Sequence, residues 1–266
     1  MRAEEALCKI GEEKPLIHHL TNYVTVNLAA NVTLCTGALP VMAHAVEEVE
    51  QMVASAGALV INMGTLDPPW IEAMIRAGKE ANRRGIPVVF DPVGAGATEF
   101  RSRMPEKLME EIEFAAVCGN AGEVATLAGL EAEVRGVESL AGDAREAVVE
   151  AARALGTTVA ATGPTDYVSD GREVLAVENG HPLLGRIVGS GCSSTAVIGC
   201  FAAAAGGDPE TVAAALAYFG RAGELAAEKA AGPGTFEPLL LDALAAFSDE
   251  PGLLQDKLRV KEASLG

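Results

Sequence analysis

Aromatic side chains are scarce in this 266-residue sequence: Phe, Trp and Tyr make up 4%, with a single tryptophan. Aliphatic side chains must therefore fill any core, and 49% hydrophobic residues with 29 glycines suit close helix–sheet packing in one large α/β domain spanning 1–266. Basic charge is also short, with 20 Lys and Arg against 37 Asp and Glu, a formal net charge of −17. Nucleic acid and anionic membranes need a basic surface, so neither is expected as a partner. An anionic ligand would have to be held by local dipoles, a metal ion or one placed cation.

Long apolar runs are missing as well. No uninterrupted stretch of about 18 apolar residues occurs, so no transmembrane helix is expected. The opening "MRAEEALCKIGEEKPLIHHL" has no apolar signal region. The five cysteines (8, 35, 118, 192 and 200) are odd in number and scattered, without a C-x-x-C pair. A disulfide framework or zinc site is not expected, and a reducing cytoplasm is. The only close histidine pair, His18–His19, would point its side chains apart on a strand and makes no metal set. Familiar nucleotide signatures fail too. Gly78–Lys79 is followed by Glu80 and lacks the first glycine of a Walker loop, and "GAGATE" (94–99) lacks the third glycine of a dinucleotide fingerprint.

What is present is alternation. "ALPVMA" (38–43), "GALVINMG" (57–64), "IPVVFDP" (86–92), "FAAVCGN" (114–120) and "TTVAATGP" (157–164) are short and apolar, bounded by turn residues, as strands buried on both faces are. Helical patterns lie between and around them, over 45–56, 67–84, 98–112, 121–129 and 137–155. This order predicts a mostly parallel sheet with right-handed crossovers and helices on both faces. Residues 166–180 read as a hairpin turning at Asp170–Gly171. After Gly191 almost everything reads as helix, over 192–206, 208–231 and 236–247. The segment 18–45 reads as a helix leading into a strand, with Thr21 or Asn22 placed to cap it.

Ligands of such sheets gather at the carboxyl ends of the strands. The polar residues fall there: Asn62 and Gly64, Asp91, Asn120, and Thr162–Gly163. "GNAGE" spaces Asn120 and Glu123 as a capping box, which leaves Glu123 beside a strand end. Two carboxylates from adjacent strand ends, Asp91 and Glu123, are what a magnesium–nucleotide site needs. "VGSGCSSTAVIGC" (188–200) adds a glycine turn opening a helix, whose first N–H groups lack intrahelical partners and can bind an anion. Cys192 is then either a small buried hydrophobe or a group at the chemistry. Asn22 and Met42 each read as cap and core residues, and together as the lining of a small pocket for a neutral heteroaromatic.

The segments "HHLTNYV", "ALPVMAHAVEE", "ALVINMGTLD", "PVVFDPVGAGAT", "CGNAGEVATLAG", "VAATGPTDYVSDG" and "GHPLLGRIVGSGCSSTAV", in this order over roughly residues 8–245, resemble hydroxyethylthiazole kinases of the ribokinase-like superfamily. The resemblance implies a ribokinase-like fold and phosphorylation of the primary alcohol of 4-methyl-5-(2-hydroxyethyl)thiazole, with ATP as donor and Mg²⁺ as cofactor, in thiamine salvage. It also implies a homotrimer with active sites between subunits. By the same resemblance Cys192 is the catalytic residue, Met42, Gly189 and Asn22 contact the thiazole, Thr162 and Asn120 lie at the nucleotide, and Asp91 and Glu123 serve the metal. Cys118 stands at an ATP-contacting position where such kinases carry Arg or Lys, so a charge-assisted bond to phosphate is missing unless Arg186 replaces it.

These residues imply a mechanism. Gly189–Cys192 amides would receive charge on the migrating phosphoryl group, and Cys192, its pKa lowered at a helix N-terminus, would act as a modest base. The alternatives are another ribokinase-like small-alcohol kinase, such as one acting on a hydroxymethylpyrimidine, or a catalytically weak protein that only binds thiazole or nucleotide.

Overall fold

A computed structural model describes residues 2–130 and 144–264 of the chain. Among them runs one nine-stranded sheet. The strands are β1 (Leu16–Leu20), β2 (Leu39–Val41), β3 (Ala58–Asn62), β4 (Val88–Asp91), β5 (Ala116–Asn120), β6 (Thr158–Thr162), β7 (Asp166–Ser169), β8 (Val174–Val177) and β9 (Val260–Glu262). Their order is β2-β1-β3-β4-β5-β6-β7-β8-β9, parallel from β2 through β6 and antiparallel beyond. The mostly parallel sheet is as expected.

Period-two alternation sends Val60 and Val89 to one face and Leu59, Ile61, Val88 and Phe90 to the other. The first face packs on α1 (Ala3–Glu13), α2 (Val26–Cys35), α8 (Ser190–Ala205), α9 (Pro209–Ala227) and α10 (Pro233–Asp249). The second packs on α3 (Val49–Val53), α4 (Pro68–Arg84), α5 (Glu99–Glu111), α6 (Ala121–Leu127) and α7 (Ala144–Leu155). Residues 137–143 of the expected helix 137–155 lie outside the described residues. The expected hairpin forms with Gly171 at φ +90° in its turn, where Asp170 Oδ1 accepts from the N–H groups of Arg172 and Glu173 at 2.8 and 3.1 Å.

Three local expectations are corrected. The segment from residue 18 begins as strand β1 and becomes helical only at Val26. Thr25 occupies the N-cap position, and Asn22 Oδ1 accepts from the N–H groups of Val24 and Thr25, each at 3.0 Å, in a turn before the helix. Beyond α10 the chain returns to the sheet as β9, a three-residue exposed edge without apolar alternation.

β1 conceals itself because its two histidines are buried. Both rings are satisfied on one side only. His18 Nε2 donates to Ala43 O at 2.6 Å. Thr33 Oγ1 donates to Ala29 O, so it accepts from His19 Nε2 at 3.0 Å. Among the described residues, Nδ1 of each ring is buried without a partner. Burial, and then the neighbouring His18, hold His19 down at about 3 against an ordinary 6.5. The unfolded chain therefore binds the proton first. The stability tied to neutral His19 is complete above pH 6.5 and drains away as pH falls toward 3. By pH 4.5 roughly 3 kcal/mol is lost through this group. Denaturant melts of wild type and His19→Gln between pH 7 and 4.5 should show a shallower acid decline in the variant; parallel declines would remove His19 as the cause.

Candidate active site

The sheet order makes β1 a switch point, because its connection runs one way to β2 while β3 lies on its other side. A crevice opens at the carboxyl ends of strands at such a point. Asn22, just past β1, and Asn62, the last residue of β3, meet there: Asn22 Nδ2 donates to Asn62 Oδ1 at 2.9 Å. Asn62 Nδ2 donates to Asp91 Oδ2, at the end of β4, at 2.6 Å. Both amides also donate to Cys192 Sγ, Asn62 at 3.2 Å and Asn22 at 3.5 Å. Thr195 Oγ1 lies 3.3 Å from Asp91 Oδ2. Cys192 is thus at the polar centre, with three of the expected strand-end and turn residues, Asn22, Asn62 and Asp91, around it.

Helix α8 delivers that sulfur. Gly189 is its N-cap at φ +92°, and an added Cβ there would lie 2.6 Å from Thr25 Cγ2. The turn therefore requires glycine for both backbone and space. A Cβ on Gly191 would meet nothing within 4 Å, so open space faces the first turn of the helix. Thr25 Oγ1, against this turn, is buried facing Cys192 and has no other hydrogen-bond partner among the described residues.

Beside this centre stands the capping box expected from "GNAGE". Asn120 Oδ1 accepts from Glu123 N at 3.0 Å and Glu123 Oε2 from Asn120 N at 2.8 Å. Glu123 Oε1 accepts from Gly94 N at 2.8 Å, tying the loop after β4 to α6. Arg101 of α5 supports the same loop from below, donating through Nη1 to Met63 O at 2.8 Å and Val93 O at 2.7 Å. Thr162 Oγ1 donates to Gly119 O at 3.2 Å at the ends of β6 and β5.

Charge in the centre is unfavourable as it stands. Burial, then the charge of Glu123, push Asp91 up to about 8, against the bonds from Thr195, Asn62 and Cys192. Burial likewise raises Glu123, opposed by its two backbone bonds. Burial and then Asp91 raise Cys192 above the ordinary thiol range. This corrects the expectation of an acidified thiol: loss of solvent and the neighbouring Asp91 outweigh the bonds from Thr25, Asn62 and Asn22.

Other expected positions lie at the margins. Met42 follows β2, partly buried, and its carbonyl accepts from His44 Nδ1 at 3.3 Å; among the described residues no hydrogen bond ties it to the Asn22–Asn62 centre. Cys118 is 2% exposed and packs in the core beneath α8, its thiol beside Thr195 and out of reach of a ligand at the surface. Arg186 is exposed in the 3₁₀ turn Pro182–Arg186 and forms no ion pair among the described residues. Sequence reasoning noted Asn62 only as a strand end and missed Thr195 and Arg101, since nothing local marks bonds across 38 to 170 residues.

A sequence model of the Hydroxyethylthiazole kinase family matches residues 7–250. The chain is 68% identical to the hydroxyethylthiazole kinase of Rubrobacter xylanophilus across 100% of both proteins. It is 50% identical to that of Methanocella arvoryzae over 90% of each. Among solved structures, hydroxyethylthiazole kinase from Pyrococcus horikoshii superposes with a TM-score of 0.90 at 42% identity, covering 98% of this chain and 99% of that one. A ribokinase-like superfamily protein from Enterococcus faecalis, 14% identical, superposes at 0.65 over 88% and 86% of the two chains and shares the fold. The fold is ribokinase-like, and the chain belongs to the hydroxyethylthiazole kinase family.

Proposed function

We propose that the chain transfers the γ-phosphoryl group of ATP to the primary alcohol of 4-methyl-5-(2-hydroxyethyl)thiazole, with Mg²⁺, in thiamine salvage. One observation carries this reading. The strand order places the candidate residues in sequence along the carboxyl edge: Met42 beyond β2, Asn22 beyond β1, Asn62, Asp91, Asn120 and Thr162 on β3 to β6. Five inter-strand steps span about 24 Å. Acceptor residues occupy one end, nucleotide residues the other, and Cys192 with Asp91 stands between them.

In this arrangement Met42 gives a soft contact to the thiazole ring and Asn22 a polar one. The Thr25 hydroxyl and Cys192 Sγ, which face each other, hold the acceptor alcohol. The space before Gly191 takes the migrating phosphoryl group, and the amides of residues 190–192 receive its negative charge. Thr162 and Asn120 border the nucleotide, Cys118 offers it backbone alone, and Arg186 is a candidate cation for its phosphates. A loose transition state asks little of the base. Only the minor thiolate form of Cys192 takes up the alcohol's proton, which implies slow turnover.

The donor set fits magnesium. Asp91 and Glu123 are hard oxygen ligands, both raised by burial; Arg101 acts on Glu123 through its charge, and among the described residues nothing cationic offsets Asp91. No three His, Cys, Asp or Glu side chains form a closed metal cluster among those residues, which suits an ion that keeps water and phosphate as ligands. Asp91 would hold it, with Glu123 acting through water because both its oxygens already accept backbone N–H groups. When bound, Mg²⁺ neutralises the phosphate charge that grows as the leaving-group bond breaks.

We further infer one kinase domain across 1–266, and a homotrimer with its sites between subunits. Exposed Tyr23, Val24 and Val188, at 60%, 69% and 73%, flank the centre and support an interface there. Five unpaired cysteines support a reducing cytoplasm. Among the described residues no helix is long and apolar enough to cross a membrane. A coupled ADP-release assay over a panel of alcohols and nucleotides tests the reading. Magnesium-dependent turnover should be highest with the thiazole alcohol and ATP; preference for a pyrimidine alcohol or a sugar, or no turnover, would overturn it.

A further inference from the structure

We propose that Asn62 is a positioning residue that fixes the phosphate-side carboxylate and the acceptor-side sulfur in one rigid frame. This rests on the reading of the centre as a phosphoryl-transfer site. Asn62 is 2% exposed, and its carboxamide is fully engaged. Nδ2 donates to Asp91 Oδ2 at 2.6 Å and Cys192 Sγ at 3.2 Å; Oδ1 accepts from Asn22 Nδ2 at 2.9 Å and Gly64 N at 3.0 Å. The Gly64 N–H can only donate, so the orientation of the amide is determined by its partners.

The four partners come from separate segments: the end of β4, the first turn of α8, the turn after β1, and the loop after β3 itself. The strand order sets Asn62 between the acceptor end and the donor end of the crevice. No other described side chain bonds both Asp91 and Cys192 in this way. Gly64 adds a constraint, because a Cβ there would lie 2.7 Å from Asn22 Cβ, so the loop closes tightly over the same amide. In-line transfer depends on the separation of acceptor and phosphate, and errors near 1 Å cost about a hundredfold in rate. Asn62 holds that separation without touching either substrate.

A double-mutant cycle tests this. Rates are measured for wild type, Asn62→Leu, Cys192→Ser and the double variant, using whichever alcohol the panel shows to be turned over, so a different acceptor would overturn the substrate reading and leave the cycle intact. Each single change should lower kcat at least tenfold, and the KM for ATP in Asn62→Leu should stay within about twofold. The double variant should be no more than about threefold slower than the slower single, because once the frame is gone the sulfur has no fixed place to lose.

Asn62→Asp gives a second arm. It keeps acceptors for Asn22 and Gly64, loses the donor to Cys192, and sets a second carboxyl against Asp91 in place of the amide N–H. It should match the kcat loss of Asn62→Leu while keeping the wild-type KM for the alcohol, which Asn62→Leu should raise. If the leucine variant does not fold, as judged by thermal melting, the aspartate variant carries the cycle. Losses that multiply in the double variant, or Asn62→Asp with wild-type kcat, overturn the proposal and leave the role of Cys192 standing. Wild-type kcat in Cys192→Ser overturns both.

Discussion

Asp91→Asn is expected to lower kcat/KM at least a thousandfold in a protein that still folds. The magnitude follows from charge. A carboxylate about 4 Å from a cation–phosphate centre, at an effective dielectric near 20, contributes about 4 kcal/mol, or about three orders of magnitude in rate. Asparagine can accept the bonds from Asn62 and Thr195 through its oxygen, but its amide nitrogen then faces the cation. Stability separates this from unfolding. Burial and the charge of Glu123 lift the folded pKa of Asp91 to about 8 from an ordinary 3.8. The folded state therefore favours the neutral acid, and stability tied to this group declines as pH rises from 3.8 to about 8. Asp91→Asn removes that cost, so its melting temperature at pH 8 should equal or exceed that of wild type. A variant within tenfold of wild-type kcat/KM would take Asp91 out of the chemistry.

Gly189→Ala is expected to lower kcat/KM about a hundredfold. Alanine at φ +92° costs about 1 kcal/mol in backbone strain alone. The added methyl would lie 2.6 Å from Thr25 Cγ2 and 3.0 Å from Thr25 Cβ, in a buried place where the β-branched side chain has little freedom to turn. The helix entrance must shift, carrying the amides of residues 190–192 and Cys192 Sγ away from Asn62 and Asn22. Steady-state kinetics of Gly189→Ala, with melting as the control, measure this. Wild-type rates would show that the turn plays no part in receiving the phosphoryl group.

Much of this architecture was legible in the sequence, and the parts that were not share a physical cause. The parallel strands announced themselves because burial on both faces demands continuous apolar runs such as "GALVIN" and "IPVVF". β1 did not, since His18 and His19 enter the core as neutral, partly satisfied rings, and β9 did not, since a three-residue exposed edge carries no pattern. Within the site, the Asn120–Glu123 box was legible because capping is local, with fixed spacing. The Asn62 frame and the Arg101 brace were not, because the side-chain partners of Asn62 lie 29 to 130 residues away and the carbonyls held by Arg101 Nη1 8 to 38 residues away. The thiol's acidity was misjudged for a related reason: a helix N-terminus can be read from the chain, whereas the burial of Cys192 beside Asp91 cannot.

The most direct measurement is a crystal structure with a nonhydrolysable ATP analogue and the thiazole alcohol bound together. The terminal phosphorus should lie at the open first turn of α8, between residues 189 and 192, with the alcohol oxygen facing Cys192 Sγ and the nucleoside toward Thr162. A terminal phosphate lodged elsewhere on the sheet edge, or a thiazole bound on the Thr162 side, would contradict the assignment of acceptor and donor ends.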